Sequence, residues 1–215
     1  MTPSRDEVVT RLKEHVMGRE LASLAQTYGV TVNTPRGINK GWAGQTLEYA
    51  ALLPASNAAL PDGGDFELKS TKVEWLDEQW SPKETIKITN LNPQKILEEE
   101  FETSVLWSKL SRLILVGCHY EAQDQAKAVV VCPFDVTAPE LVKEIRSFWE
   151  DVRHLVASGE MMAHHNVGSF SDILQLRPTG TGKGLSVCPI TGEKFPARAF
   201  YATKRFLKQI LSASR

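Results

Sequence analysis

The stretch Pro61-Asp62-Gly63-Gly64-Asp65-Phe66-Glu67-Leu68-Lys69 contains the change of pattern that decides the fold. Before it, apolar residues recur at the three- and four-residue intervals of amphipathic helices. From Asp65 onward, apolar and charged residues alternate, which is typical of a β-strand. Alternation predicts that Glu67 and Lys69 share one face of this strand, opposite an apolar face that packs into the core. The chain therefore combines a helical start with a sheet.

Three helices are predicted before this strand. Ser4 and Glu7 have the spacing of a capping box, and the helix that they begin ends before Gly18. A shorter helix ends at Gly29, since glycine commonly terminates helices. A third helix is predicted over about residues 42–53.

The rest of the chain alternates between predicted strands and helices. A capping box formed by Thr137 and Glu140 begins the most strongly amphipathic of these helices, which ends at Gly159. This order of elements predicts an α/β fold of the α+β type, with a mixed central sheet flanked by helices. The other predicted strands cover residues 85–90, 113–118, 128–132 and 173–177, and the other helices cover residues 95–110 and 203–214.

Composition limits the class of protein. The 215 residues are 42% hydrophobic and 24% charged, as in globular proteins. No apolar run approaches the ~20 residues that cross a bilayer, and residues 1–17 lack the order of a secretory signal. We therefore predict a cytoplasmic protein that does not act at a membrane. Three widely spaced cysteines suit neither a disulfide framework nor a zinc site, and we interpret them as reduced thiols.

The formal charge of −1 conceals an asymmetry along the chain. Residues 173–215 hold eight lysines and arginines against one glutamate, which leaves a net charge of −8 on residues 1–172. A basic C-terminal part favours a surface that faces phosphates, as in proteins that bind nucleic acid. A solvated basic helix is an equally weighted alternative.

The acids and the lysine of the quoted stretch suit metal-dependent hydrolysis of a phosphodiester. That reaction uses a hard divalent cation, normally Mg²⁺, held by carboxylate oxygens. Asp62 and Glu67 can supply such oxygens, and Glu48 on the preceding helix could reach the same region. Lys69 can orient the attacking water, accept its proton or stabilise the charge that develops on the phosphoryl group. The alternative is an ordinary solvated strand face, on which an acid and a lysine two residues apart are common.

Several segments along the chain form a series, beginning with Asn-Lys-Gly-Trp-Ala-Gly-Gln-Thr-Leu-Glu at residues 39–48. Asp62 followed by Glu67-Leu68-Lys69-Ser70 is the second member. In this order the segments resemble the MutH family, which comprises DNA mismatch-repair endonucleases and related GATC-cleaving restriction endonucleases. The joint occurrence is far more specific than any single segment. The further members are Glu84-Thr85, Ser108-Lys109-Leu110, Trp149-Glu150-Asp151-Val152, Leu174-Gln175-Leu176-Arg177-Pro178, and Phe200-Tyr201 with Lys204.

The resemblance implies a restriction-endonuclease-like fold with two lobes around a DNA cleft, in one domain spanning residues 1–215. The catalytic lobe is expected over about residues 1–135, and a C-terminal lobe with DNA-recognition elements over about residues 136–215. The implied reaction is Mg²⁺-dependent nicking of the unmethylated strand at hemimethylated GATC sites in mismatch repair, with the ATPase MutL as a partner. The alternative is a type II restriction endonuclease of the same family that cleaves both strands of double-stranded DNA at GATC or a related site.

The resemblance also assigns roles to single residues. It implies catalytic roles for Glu48, Asp62, Glu67, Lys69 and Lys109, with Glu48, Asp62 and Glu67 as the metal ligands and Lys109 as a second lysine that reaches the active site. It implies DNA contacts by Lys40, Arg177 and Tyr201, with Tyr201 beside the adenine whose methylation is sensed. The charge asymmetry adds Lys204 and Lys208 as phosphate contacts on the last helix.

The identity of the first metal ligand has an alternative in the sequence. The segment between Asp62 and Glu67 is shorter than is usual in the family, and it contains Asp65, which alternation places on the same strand face as Glu67. We prefer Asp62 because its separation from Glu48 matches the family pattern. Asp65 is the alternative ligand.

Overall fold

The structure is a computed structural model that describes residues 2–54, 61–162, 171–179 and 184–213. None of the helices in these ranges is both long and apolar enough to cross a membrane. The α-helices are α1 (Arg5–His15), α2 (Leu21–Thr27), α3 (Trp42–Ala50), α4 (Pro93–Glu98), α5 (Val105–Leu110), α6 (Pro139–Ala157) and α7 (Lys204–Ser212), with short 3-10 helices at Phe101–Thr103 and Glu160–Met162. The strands are β1 (Asn33–Thr34), β2 (Gly37–Ile38), β3 (Glu67–Leu76), β4 (Gln79–Pro82), β5 (Ile86–Asn90), β6 (Arg112–Ala122), β7 (Gln125–Asp135), β8 (Leu174–Pro178), β9 (Leu185–Val187), β10 (Lys194–Pro196) and β11 (Arg198–Ala202).

The chain divides into two compact units. The first comprises residues 1–84, 112–135 and 207–215, and the second comprises residues 85–111 and 136–206. The units therefore do not follow a single cut near residue 135. The organisation as one domain with two lobes around a cleft stays a prediction.

The first unit contains a mixed four-stranded sheet of order β4-β3-β6-β7. β3 runs parallel to β6, with Glu67 opposite Leu113, while β4 and β7 are antiparallel to their neighbours. Helices α1, α2 and α3 bury their apolar side chains together with those of the sheet in one cluster that includes Leu12, Leu47 and Leu68. The predicted mixed sheet with flanking helices is confirmed.

The second unit contains an antiparallel three-stranded sheet of order β5-β11-β8. One face of this sheet is apolar and buried, with Leu174, Leu176 and Phe200 among its residues. The Phe200 ring meets that of Phe148 from α6 edge-on, with 6.3 Å between ring centroids. The other face carries polar and charged side chains, as expected for an antiparallel sheet covered on one side.

The sequence predictions for the helices are confirmed in part. The capping box of α1 is present, since the Ser4 amide donates to a Glu7 carboxylate oxygen at 2.7 Å and the Ser4 hydroxyl accepts from the Glu7 amide. The predicted helix over residues 95–110 is wrong as a single helix. It is divided into α4, a 3-10 turn and α5, because Ser104 is extended and caps a new helix by accepting from the Trp107 amide at 3.1 Å.

The start of α6 also differs from the prediction. Ala138, not Thr137, is the N-cap residue, and it makes no side-chain hydrogen bond to the helix. Pro139 occupies the first helical position, where its fixed φ suits the helix and its missing N–H costs nothing. The capping box of Thr137 and Glu140 is therefore wrong, although the helix itself is confirmed.

The cysteines behave as core residues. Cys118, Cys132 and Cys188 are all buried and form no disulfide. Burial raises the pKa of the Cys118 thiol to about 12, because the apolar surroundings disfavour the thiolate. The interpretation as reduced thiols is consistent with these environments.

Candidate active site and DNA-contact surface

A tight glycine turn carries the chain into β3. The Gly64 amide donates to the Pro61 carbonyl at 3.1 Å, and Gly64 has φ +87°, a conformation that favours glycine. The Gly63 amide donates to the Phe66 carbonyl at 3.0 Å, and a Cβ atom on Gly63 would lie 2.1 Å from the buried Phe66 ring. Both glycines are therefore required for a turn that brings Asp62 back beside the first residues of the strand.

Asp62 lies along the edge of β3. Strand β4 pairs with β3 only from Val73 onward, so the same edge is available to Asp62 near the start of the strand. The Leu68 amide donates to Asp62 Oδ2 at 3.3 Å, and the Asp62 amide donates to Glu67 Oε2 at 3.1 Å. Because the N–H and C=O of one residue point the same way in an extended strand, the Leu68 carbonyl is directed toward this edge as well.

Glu67 is completely buried, with no exposed side-chain surface. Its carboxylate accepts from the Asp62 amide and from the Lys69 ammonium group. A buried polar group without hydrogen-bond partners lowers the stability of the fold by roughly 1–3 kcal/mol, and a buried charge lowers it by more. Glu67 and Lys69 thus share one strand face, as alternation predicts, and the alternative of a solvated face is wrong because Glu67 has no contact with solvent.

Helix α3 packs against β3 and the neighbouring strand β6. At its start, the Trp42 ring contacts the Tyr120 ring, with centroids 6.5 Å apart, and the Lys72 ammonium lies 5.2 Å from the centre of the same Tyr120 ring. One half-turn later, a Cβ atom on Gly44 would lie 4.0 Å from Ser70 Oγ. Gly44 therefore lies beside Ser70, on the strand face that also carries Leu68.

The position of Glu48 on α3 follows from that of Gly44. Glu48 is four residues after Gly44 and so lies on the same helix face, about 6 Å further along the axis. Glu48 is half-buried there. The approach of Glu48 to Asp62 and Glu67 stays a prediction.

Asp65 has a different environment from Asp62. Its carboxylate forms an ion pair with Arg112, and its side chain is 65% exposed. Strand β3 begins at Glu67, so Asp65 precedes the strand instead of lying on its face. Asp62, in contrast, bonds to the backbone of the strand.

Three of the predicted catalytic residues, Asp62, Glu67 and Lys69, are brought together by direct hydrogen bonds. Lys109 lies in the last turn of α5 in the second unit and is 7% exposed, and its approach to the active site stays a prediction. Within residues 2–54, 61–162, 171–179 and 184–213, no group of three or more His, Cys, Asp or Glu side chains is close enough to hold a metal ion. The carboxylates of Asp62 and Glu67 instead accept hydrogen bonds from the protein.

A second set of predicted residues lies on the polar face of the three-stranded sheet. Arg177 donates to Thr85 Oγ1 at 2.9 Å, and its guanidinium lies 5.3 Å from the centre of the Tyr201 ring. In the register of the sheet, Tyr201 is opposite Gln175 on β8 and Lys87 on β5. We call these five residues the polar sheet face. Lys87 and Gln175 were not predicted from the sequence as functional residues.

The remaining predicted DNA contacts are exposed lysines. Lys40 precedes α3, next to Asn39, whose carboxamide accepts from the Gly41 amide at 3.1 Å. Lys204 and Lys208 are exposed on α7. Thr203 precedes this helix, and its hydroxyl accepts a hydrogen bond from the Phe206 amide at 3.2 Å. None of these lysines requires rearrangement of the core to reach a ligand.

Comparison with known proteins identifies the relatives of the chain. Residues 54–144 match the family model described as DNA mismatch repair enzyme MutH. Over 97% of its length, the chain is 27% identical to the DNA mismatch repair protein MutH of Vibrio campbellii and 28% identical to that of Vibrio cholerae, covering 93% and 95% of those proteins. The chain is similar to MutH proteins over nearly its whole length. A MutH of a Shewanella species is 28% identical over 80% of the chain and 78% of that protein.

This similarity agrees with the resemblance seen in the sequence. The mixed sheet with flanking helices confirms the predicted fold class. The matched family is described as an enzyme of DNA mismatch repair, in line with the predicted class of enzyme. The matched residues include the turn at Asp62, the start of β3 and Lys109. Lys40, Glu48 and the polar sheet face lie wholly or partly outside them, within the similarity to the full-length MutH proteins.

Proposed function

We propose that the protein is a Mg²⁺-dependent, sequence-specific endonuclease that nicks the unmethylated strand of double-stranded DNA at hemimethylated GATC sites in mismatch repair. The observation that carries this proposal is the completely buried Glu67, hydrogen-bonded to Lys69 and to the backbone of Asp62. The folded chain bears the cost of burying this charge, which is typical of residues kept for chemistry.

The proposed metal ligands are Asp62, Glu67 and Glu48. The fit rests on the chemistry of the donors, because carboxylate oxygens beside the strand edge, together with the Leu68 carbonyl, are the hard ligands that Mg²⁺ prefers. Asp62 is the better candidate than Asp65, since Asp62 bonds to the strand whereas Asp65 pairs with Arg112. When bound, Mg²⁺ would neutralise charge on the scissile phosphate and make a bound water more acidic.

Lys69 has two roles in this proposal. In the free protein its ammonium compensates the buried charge of Glu67. Its side chain is 23% exposed, so one donor remains near solvent where a phosphate oxygen can accept a hydrogen bond. Stabilisation of the charge that develops at phosphorus is the role expected of such a preorganised donor. Lys109 is proposed as a second lysine of the active site.

The polar sheet face is proposed to read DNA. An arginine can donate two hydrogen bonds to the edge of guanine, and the guanidinium of Arg177 is positioned by the hydroxyl of Thr85 and the ring of Tyr201. Tyr201 is proposed to sense the adenine methyl group, and Gln175 and Lys87 lie beside it in the sheet. Lys40, Lys204 and Lys208 would add contacts to DNA. Action in the cytoplasm with MutL as partner belongs to the same proposal, in line with the mismatch-repair names of the relatives.

A cleavage assay on plasmid DNA tests the proposed function. Purified protein and Mg²⁺ are incubated with plasmids that are unmethylated, hemimethylated or fully methylated at GATC, with and without MutL. A plasmid without GATC sites and the Glu67→Gln variant are the controls. We expect nicked product only from the unmethylated and hemimethylated plasmids, with strong stimulation by MutL.

The alternative outcomes separate the two candidate functions. Linear product in the absence of MutL would favour the type II restriction endonuclease. Cleavage of the plasmid without GATC sites would contradict the proposed recognition sequence. No cleavage of any plasmid, even with MutL, would contradict both functions.

A further inference from the structure

A network of ion pairs lies beside the turn that precedes β3. Arg112 pairs with Asp65 through Nη1 and with Asp135 through Nε, the latter at 3.4 Å. Arg5 donates to the other oxygen of Asp135 at 2.8 Å and to the Leu113 carbonyl at 2.9 Å. The four charged side chains therefore connect α1, the start of β6 and the end of β7 with the turn that holds Asp65.

This network lies at the level of Glu67 in the sheet. Leu113, whose carbonyl accepts from Arg5, is the partner of Glu67 in the parallel ladder between β3 and β6. Asp65 is three residues after Asp62 and two residues before Glu67. A displacement of Asp65 would consequently change the separation of the two carboxylates.

The side chains of this network are more strongly constrained than those of an isolated surface ion pair. An exposed ion pair contributes roughly 0–1 kcal/mol, because solvent screens it and two side chains must be ordered. Here Asp135 is shared by two arginines, and the Arg5 side chain is only 10% exposed. Arg112 is thus held by Asp135 through Nε while its Nη1 pairs with Asp65.

We propose that Arg112 is a positioning residue, which acts through Asp65 to set the separation of the Asp62 and Glu67 carboxylates and hence the affinity for the divalent cation. The inference rests on the proposed function and extends it. It also gives Asp65 a role other than that of a ligand, because its carboxylate is engaged by Arg112.

Calorimetric titration with Ca²⁺ tests this inference without requiring turnover. We expect Arg112→Ala to raise the dissociation constant for Ca²⁺ by roughly two- to fivefold, the factor that corresponds to loss of an ion pair of this exposure. Arg112→Lys should recover part of the affinity, since it keeps the charge but not the forked geometry. Arg146→Ala is the matched control, because Arg146 is similarly exposed and pairs with Glu102 in the second unit; its affinity should be unchanged.

A double-mutant cycle tests whether Arg112 acts through Asp65. The Asp65→Ala/Arg112→Ala protein should bind Ca²⁺ no more weakly than either single variant, because the same interaction is lost in each. In cleavage assays, kcat should fall while KM for DNA stays the same. If Arg112→Ala does not fold, as judged by its melting transition, Arg112→Lys and Asp65→Ala carry the test.

Three results would overturn the inference. The first is an unchanged Ca²⁺ affinity in the Arg112 variants, and the second is abolition of Ca²⁺ binding by Asp65→Ala alone, which would make Asp65 a ligand. The third is a raised KM with unchanged kcat, which would make Arg112 a DNA contact. In each case a wild-type protein that binds Ca²⁺ and cleaves DNA keeps the proposed function intact, whereas a wild-type protein that does neither contradicts the proposed function itself.

Discussion

The start of β3 and the polar sheet face differ in how far their charged side chains are buried. At β3, Glu67 has no exposed surface and its oxygens are held by a backbone amide and an ammonium group. On the polar sheet face, Arg177 is exposed and is held by one hydroxyl group and one aromatic ring. A buried charge has one geometry, which suits a reaction, whereas an exposed charge keeps the freedom to adjust to a partner.

The difference also has an energetic side. Removing one partner of a buried ion pair costs about 3–5 kcal/mol, because the other charge is left without compensation. Removing one partner of an exposed pair costs roughly 0–1 kcal/mol. Substitutions at the start of β3 should therefore affect stability and activity together, while those on exposed surfaces should affect binding almost alone.

The largest effect is expected at Glu67. Glu67→Gln keeps the size of the side chain but removes its charge, and single-turnover cleavage should fall by at least about 10³-fold while DNA binding persists. Lys69→Ala should lose a comparable amount of activity. It should also lower the melting temperature more than Glu67→Gln does, because it leaves the buried carboxylate without its ammonium partner.

Glu74→Gln is the matched control for the Glu67 substitution. Glu74 lies on the same strand but is 39% exposed and pairs with Lys83 at 3.3 Å, so cleavage by this variant should stay within about twofold of wild type. Equal losses in Glu67→Gln and Glu74→Gln would remove the distinction between the buried and the exposed acid.

The sequence allowed prediction of β3 because local rules dominate there. The glycines at 63 and 64 mark the turn, and the alternation after Asp65 marks the strand and its two faces. Alternation could not predict that Glu67 is buried, because that depends on what covers the second face of the sheet. The burial that distinguishes a catalytic acid from a solvated one is a tertiary property.

The polar sheet face was harder to predict for a related reason. Residues 198–202, Arg-Ala-Phe-Tyr-Ala, contain no polar–apolar alternation, so β11 was not predicted as a strand. In the structure even Arg198 is buried. Without β11 the sequence offers no reason to bring Lys87 and Gln175 to Tyr201. Arg177 and Tyr201 were identified only through the family resemblance, and the structure supplies their contact.

An intermediate effect is expected at Arg177. A good bidentate contact to a base provides roughly 1–3 kcal/mol of discrimination, so Arg177→Ala should lower the preference for cognate over scrambled duplex by about 5- to 150-fold. Binding isotherms for the two duplexes measure this ratio. Arg146 is a partly exposed arginine of the same unit that pairs with Glu102, and Arg146→Ala should leave the ratio unchanged.

The competing role for Arg177 is structural. Its hydrogen bond to Thr85 and its contact with Tyr201 could serve only to hold β8, β11 and the segment before β5 together. In that case Arg177→Ala would lower the melting temperature and weaken binding to both duplexes equally. An unchanged ratio would thus remove Arg177 from the residues that read the sequence.

The smallest effect is expected at Lys208, which is exposed on α7. If its ammonium contacts a phosphate, Lys208→Ala should weaken binding to cognate and scrambled duplexes alike, and the slope of log affinity against log salt should become shallower by about one. Lys13→Ala on α1 is the control, since Lys13 is also exposed but has no proposed contact with DNA. Both variants lose one positive charge, so long-range attraction to DNA falls by a similar amount in each. Only a residue that displaces a counterion from the DNA changes the slope, and an equal slope in the two variants would reduce Lys208 to part of the general charge of the C-terminal segment.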